Sequence, residues 1–258
     1  MPRPSNPTPL ERAAPLLRLA PGATPLHVTN GVLDLLDRSF APTFTQRTLD
    51  TAFTAWFYAV VRDALAPALG MPDFASEVAS VAERLALAPG DVVLDVACGH
   101  GNFTVELARR VGPSGLVIGL DIAGSMLARA VRRVRRAGLD NVLLVRGDAL
   151  ALPFVDGAFA KLNCSGGLHQ MPDLDRALAE FARVTQPDAR FAGSGFARAG
   201  AAETGLRGLL WRRMKLHFVP ADVLAESIAS AGFDGVDVRL VGALGYASAH
   251  RRAALTGT

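Results

Sequence analysis

From residue 90 onward the apolar positions fall into short runs, separated by stretches in which they recur every three or four residues. Val92–Val96, Leu116–Leu120, Val142–Val145, Phe159–Cys164, Arg190–Phe196 and Val236–Val241 read as strands. Asn102–Val111, Gly124–Ala137, Asp173–Val184 and Pro220–Ala231 read as helices between them. This alternation builds parallel βαβ units, and so an α/β, Rossmann-like doubly wound sheet. The last runs, Val236–Leu240 and Leu244–Ala249, are separated by too few residues for a crossover, so they pair as an antiparallel hairpin.

Before residue 90 the texture differs. Leu49, Phe53, Trp56, Phe57, Val60, Val61, Ala64 and Leu65 mark an amphipathic helix over Gln46–Leu69, and a second helix, Phe74–Leu87, stops at Pro89-Gly90. Both precede the first strong strand and read as an N-terminal helical cap. Seven prolines within the first 25 residues forbid a continuous helix there. The expected organisation is an irregular Pro-rich arm over 1–45, a helical cap or lid over 46–87, and the sheet domain over 88–258.

A chain of 258 residues, half of them hydrophobic, is one large domain or a domain with a cap. Its two cysteines, Cys98 and Cys164, lie far apart in apolar surroundings; they read as buried packing groups, exclude a disulfide framework and make a cytoplasmic location the default. The longest apolar stretch, Ala52–Val61, covers only about half a bilayer, so no membrane insertion is expected. The net charge is +3, and among the basic residues only Lys161 and Lys215 are lysines. The dense basic cluster Arg129–Arg136 reads as the solvated face of a helix, and nucleic acid is not an expected partner.

The chemistry sits at strand ends. Val92 to Phe103 reads as a buried strand, a turn of small residues (Ala97, Cys98, Gly99, Gly101) and a helix start, where free N–H groups favour a negatively charged ligand group. The second strand ends in Asp121, twenty residues after Gly101, a position from which a carboxylate accepts both hydroxyls of a ribose. The third runs into Gly147-Asp148-Ala149, adding an acidic group suited to an adenine amino edge. An adenosine-containing ligand follows, and NAD is disfavoured because Thr104 stands where the dinucleotide fingerprint needs its third glycine. A plainer reading makes Asp95 a turn residue and Asp121 and Asp148 helix caps.

Taken in order, LDVACGHG, GLDIAGSML, GDALALPF, SGGLHQMPD and RVTQPDARF resemble the motifs of the class I S-adenosylmethionine-dependent methyltransferases, nearest the ubiquinone/menaquinone-type small-molecule group. The resemblance implies a seven-stranded sheet, six strands parallel and the last antiparallel, with S-adenosyl-L-methionine as cofactor. It implies that Asp95 and the backbone of Ala97, Cys98, Gly99 and Gly101 hold the methionine end, and that Asp121 binds the ribose. Ile122 and Met126 would pack on the adenine, Asp148 and Ala149 would reach its amino edge, and Asn163, Cys164 and Ser165 would run beside the sulfonium. Phe57-Tyr58 with Arg62 resembles a helix of relatives that brings Tyr58 to the cofactor. His169 stands where this group often has a histidine facing the acceptor; a pocket base and a structural histidine both stay open.

The expected reaction is methyl transfer to oxygen or carbon of a small apolar or aromatic molecule, quinone- or natural-product-like, with His169 as base if the acceptor must lose a proton. The Asn-Pro-Pro-aromatic signature of amino-group methyltransferases is replaced by Asn163-Cys164-Ser165-Gly166. An RNA methyltransferase, or a cofactor-binding cyclase or scaffold that transfers no methyl, are the alternatives. Ala97 replaces a glycine of the usual loop, and Pro187-Asp188-Ala189 stands for the usual Pro-Gly-Gly turn. The segment Arg18–Leu36 has no cysteine, and no metal is expected. A homodimer stays open.

Overall fold

The computed structural model describes residues 7–18, 26–36, 72–199, 218–242 and 244–253. The chain opens with a short helix, α1 (Pro9–Ala13), whose capping box pairs the Thr8 hydroxyl with the Glu11 N–H and the Glu11 carboxylate with the Thr8 N–H. A hairpin follows, β1 (Val28–Thr29) and β2 (Val32–Asp34). Next come α2 (Phe74–Arg84), β3 (Val92–Val96), α3 (Asn102–Val111), β4 (Leu116–Asp121), α4 (Gly124–Ala137) and β5 (Val142–Arg146). The second half contains β6 (Phe159–Ser165), α5 (Leu174–Val184), β7 (Thr185–Arg198), β8 (Val219–Pro220), α6 (Ala221–Ser230), β9 (Phe233–Val241) and β10 (Leu244–Arg251).

All the strands join one sheet in the order β1-β2-β5-β4-β3-β6-β7-β10-β9, with β8 attached to β7. β5, β4, β3, β6 and β7 are mutually parallel, and β10 is antiparallel to both β7 and β9, as the terminal hairpin requires. Among the described residues the sheet has ten strands: β3–β7, β9 and β10 form its centre, β1–β2 extends it beyond β5 and β8 adds to β7. β7 also starts five residues before the expected Arg190, at Thr185, so Pro187-Asp188-Ala189 lies inside a strand. Asp188 takes the glycine-like conformation there, at φ +62°.

On one face α2 and α3 bury Val78, Val81, Leu107 and Val111 against Val93 and Val117. α2 is thus a layer helix of the sheet and not part of a cap. On the other face α5 and α6 cover the half near β6 and β7. The link from β5 to β6, residues 147–158, contains no helix, which leaves the β4–β5 half needing cover that a doubly wound sheet must have. The N-terminal arm supplies it: Ala13, Leu17 and Leu33 are buried in the same cluster as Leu116, Ile118, Leu120, Leu143 and Val145. Arg12 donates to the Ser114 carbonyl at 2.6 Å, and Leu17 bridges to Phe154. The arm is therefore not irregular throughout, and the domain does not begin at residue 88. The Gln46–Leu69 helix lies outside the described residues.

Candidate active site

β3, β4, β5 and β6 run in one direction, so their carboxyl ends share an edge where an open α/β sheet places its ligands. After β3 the chain turns sharply through Ala97, Gly99 and Gly101, at φ +54°, +57° and +80°, and enters α3. A Cβ on Gly101 would lie 3.0 Å from that of Ala130, so this glycine lets α3 close on α4. A Cβ on Gly99 would meet nothing within 4 Å, and the loop backbone is open to a ligand on that side.

Asp121 ties this loop to the next strand. One carboxylate oxygen accepts from the Gly99 N–H at 2.7 Å and the other from the Ala123 N–H at 2.8 Å. Each carboxylate oxygen can accept more than one hydrogen bond, so the group that shapes the loop also suits ligand hydroxyls. The Gly147 N–H donates to the Asp121 carbonyl at 3.1 Å, which draws in the end of β5. Arg146 donates to the Ile122 carbonyl at 3.2 Å and fixes that peptide; Ile122 and Met126 are half-buried beside it. Asp148 closes its own turn by accepting from the Leu150 N–H at 2.9 Å, with Ala149 packed against the core. The turn-and-cap reading of Asp121 and Asp148 is thus part of their geometry and does not compete with ligand binding.

Asp95 differs from the other two. It is 1 % exposed, and its oxygens accept from the Thr104 hydroxyl at 2.6 Å and the Asn163 amide at 2.7 Å. Both contacts are internal, so Asp95 positions the loop from beneath by joining β3 to α3 and β6. An ionised carboxylate only accepts, which fixes the Asn163 amide with its NH2 toward Asp95 and its oxygen toward Ser165. The Ser165 hydroxyl donates to that oxygen at 2.7 Å, and Ser165 is thereby committed to act as an acceptor toward any further partner.

Burial pushes the Asp95 carboxyl up to about 6, with the Asp121 charge adding to the rise and the Thr104 and Asn163 hydrogen bonds opposing it. The folded state then holds a proton more firmly than the unfolded chain. Stability from this group is full below the ordinary carboxyl range and is lost as pH rises through about 6. Relative to Asp95→Asn, the unfolding free energy of the wild type should fall by about 3 kcal/mol between acid and neutral pH. Urea titrations of both proteins across that range check this; a constant difference contradicts it.

Cys98 and Cys164 are buried, and burial pushes both thiols up, away from thiolate chemistry. They serve as packing groups at the strand ends. His169 occupies a single 3-10 turn, Leu168–Gln170, after β6. Its ring sits over Gly195 of β7, where a Cβ would come within 3.0 Å of Nδ1. It meets Phe196 edge to face at 4.7 Å, and Phe196 meets Phe218 at 5.3 Å. The structure therefore brings Asp95, the 97–101 loop, Asp121, Ile122, Met126, Asp148, Ala149, Asn163, Cys164, Ser165 and His169 to one edge, while Tyr58 lies outside the described residues.

Three contributors escape sequence reading. Thr104 shares the buried stripe of α3 with Leu107, Ala108 and Val111, and a hydroxyl on such a stripe signals a buried partner. Arg146 ends β5 and Phe196 lies within β7, and neither carries a local signal. Among the described residues no helix is long and apolar enough to cross a membrane.

Residues 93–188 match the methyltransferase domain family. The demethylmenaquinone methyltransferase of Lactobacillus johnsonii is 41 % identical over 109 residues, covering 42 % of this chain and 45 % of that protein. That of Geobacillus stearothermophilus is 41 % identical over 107 residues, covering 42 % and 46 %. The chain thus spans under half the length of these curated relatives. Among solved structures, the [4+2]-cyclase SpnF superposes with a TM-score of 0.67 at 22 % identity, covering 83 % of this chain and 98 % of that one, a likeness of fold. Loop, strand-end carboxylates and sequence agree in giving the chain a methyltransferase domain over residues 93–188.

Proposed function

We propose that the protein transfers a methyl group from S-adenosylmethionine to oxygen or carbon of a small quinone-like aromatic acceptor. The observation that carries this is the Asp121–Gly99 hydrogen bond, which joins an open, left-handed loop to a carboxylate placed for a ribose. The 41 % identity to demethylmenaquinone methyltransferases supports the acceptor class. The donor set fits the cofactor: acceptor oxygens at Asp121 for hydroxyls, Ser165 committed as acceptor for an ammonium or hydroxyl, and an accessible loop backbone at Gly99. When bound, S-adenosylmethionine supplies a sulfonium methyl for in-line displacement.

The chain's own residues position the acceptor and exclude water. Ile122, held by Arg146, backs the adenine, and Asp148 and Ala149 stand at its amino edge. His169 takes the acceptor's proton on an imidazole nitrogen, with Phe196 and Phe218 as an aromatic wall beside it. Action from the cytoplasm on a small-molecule acceptor belongs to this reading.

Asp121→Ala should weaken S-adenosylmethionine binding at least tenfold, because charge-assisted hydrogen bonds to the ribose contribute roughly 1.5 to 3 kcal/mol each. Calorimetry on both proteins measures it. Labelled S-adenosylmethionine offered with a demethylated naphthoquinol should yield methylated quinol; binding without transfer to any quinol would overturn the acceptor class.

A further inference from the structure

The outer faces of α3 and α4 carry Arg109, Arg110, Arg129, Arg132, Arg133, Arg135 and Arg136 against a single acid, Glu106, a net +6 from two helices. The whole chain carries +3, so everything else sums to −3. This asymmetry is larger than the total charge. α4 buries Leu127, Ala130, Val131 and Val134, which turns its arginines outward, and Arg129, Arg132, Arg133 and Arg136 fall at helical neighbour spacing along one stripe. Arg109 pairs with Glu106, but Arg110, Arg132, Arg135 and Arg136 have no acidic partner among the described residues. One or two basic residues at a helix C-terminus answer the helix dipole; seven exceed that role.

A cleft of about 230 Å³ beside α3 and α4 is lined by Phe74, Val105 and Ala137 together with Glu106, Arg109, Arg133 and Arg136. Apolar and mainly cationic groups side by side suit an amphiphile with an anionic head. Single-stranded nucleic acid is bound by stacking on exposed aromatic rings, and the large exposed hydrophobic residues among those described are all aliphatic: Val28, Val155, Val223, Leu240 and Val241. An anionic bilayer requires only the charge, at a gain that grows with each arginine near the surface.

We propose that the α3–α4 face docks the protein side-on to an anionic lipid surface. α4 starts at the carboxyl edge of the sheet with Arg129 about 8 Å along its axis from Gly124, whereas Arg109, Arg110, Arg135 and Arg136 end their helices toward the opposite edge, so docking lays both helices lengthwise on the surface with the site edge at its margin. The benefit rests on the proposed function: a quinone-like acceptor concentrates in the bilayer.

Sedimentation with vesicles tests this, using the full chain with neither cofactor nor acceptor present. Phosphatidylcholine vesicles containing about a third phosphatidylglycerol should pellet the protein near 0.1 M salt, where screening reaches only ~10 Å, and pure phosphatidylcholine should not. Raising salt to about 0.5 M should lower binding at least tenfold. Arg132→Glu with Arg136→Glu, both exposed, should also weaken it at least tenfold while leaving S-adenosylmethionine affinity unchanged. Equal binding to neutral vesicles, no binding to either, or an unaffected double variant overturns the proposal. Indifference to vesicles with salt-dependent binding of polyuridylate would reassign the face to nucleic acid. None of these results touches methyl transfer, which stands or falls on the quinol assay.

Discussion

Removing residues 1–36 abolishes cooperative unfolding: a thermal melt of the truncated protein should show a broad, low-temperature transition in place of a sharp one. The arm contributes Ala13, Leu17 and Leu33, at 0 %, 6 % and 1 % exposure, to the core of the β4–β5 half, with Leu10, Leu16, Leu26 and Leu35 packed against them. Burying a leucine is worth about 1.5 to 3 kcal/mol, and a domain's whole margin is about 5 to 15 kcal/mol, so the loss rivals the total. The truncation also uncovers β5 as an edge and releases Arg12 from the Pro113 and Ser114 carbonyls. Because unfolding masks detail, Leu33→Ala supplies a finer measure, expected to cost about 2 to 5 kcal/mol in urea titration. If the truncated protein melts as sharply and as high as the full chain, the arm is ornament and the assignment fails. A reading in which the arm is an appendage predicts that harmless outcome, and the buried leucines oppose it.

Why the arm hides in the sequence is physical. Its helix has five residues and its strands two and three, too short for either periodicity to register, and proline density reads as irregularity. What reveals it is an absence elsewhere, the helix-free link from β5 to β6, whose consequence appears only once the sheet faces are known. α3 and α4, by contrast, match their sequence bounds because ten and fourteen residues carry a full amphipathic stripe. The same division holds in the site. Asp95, Asp121 and Asp148 are legible because each stands at or within two residues of a strand end before a turn, a local pattern. The Thr104–Asp95–Asn163–Ser165 chain is not, since it depends on Asp95 and Asn163 standing side by side in the β3–β6 register. Sequence places Asp95 against the cofactor; the register places it underneath, as the group that sets which way Asn163 and Ser165 point. The start of β7 fails for a related reason: Pro187-Asp188 has turn chemistry, yet Asp188 takes a left-handed conformation within the strand, at φ +62°.

His169→Gln should lower the rate of methyl transfer by ~10²-fold or more while leaving S-adenosylmethionine affinity nearly unchanged. The position favours this: the 3-10 turn holds the ring at the carboxyl edge, over Gly195 and against Phe196, on the strand next to Ser165. A base acts only in its neutral form, so the wild-type rate should climb with pH through the interval, about 5 to 8, in which histidines lose their charge. The variant should lose that climb along with the rate. The structural alternative has its own footing, because the Phe196 contact and the fit over Gly195 also describe a packing histidine, and the two make opposite forecasts. Glutamine keeps a polar side chain but not the ring; a packing role therefore predicts a lower melting temperature, a preserved pH profile and near-normal turnover. Single-turnover rates at saturating cofactor across that pH range, with melts of both proteins, decide between them. A flat profile in the wild type with full activity in the variant would remove His169 from the chemistry and leave methyl transfer to positioning alone, as an acceptor already ionised in solution would allow.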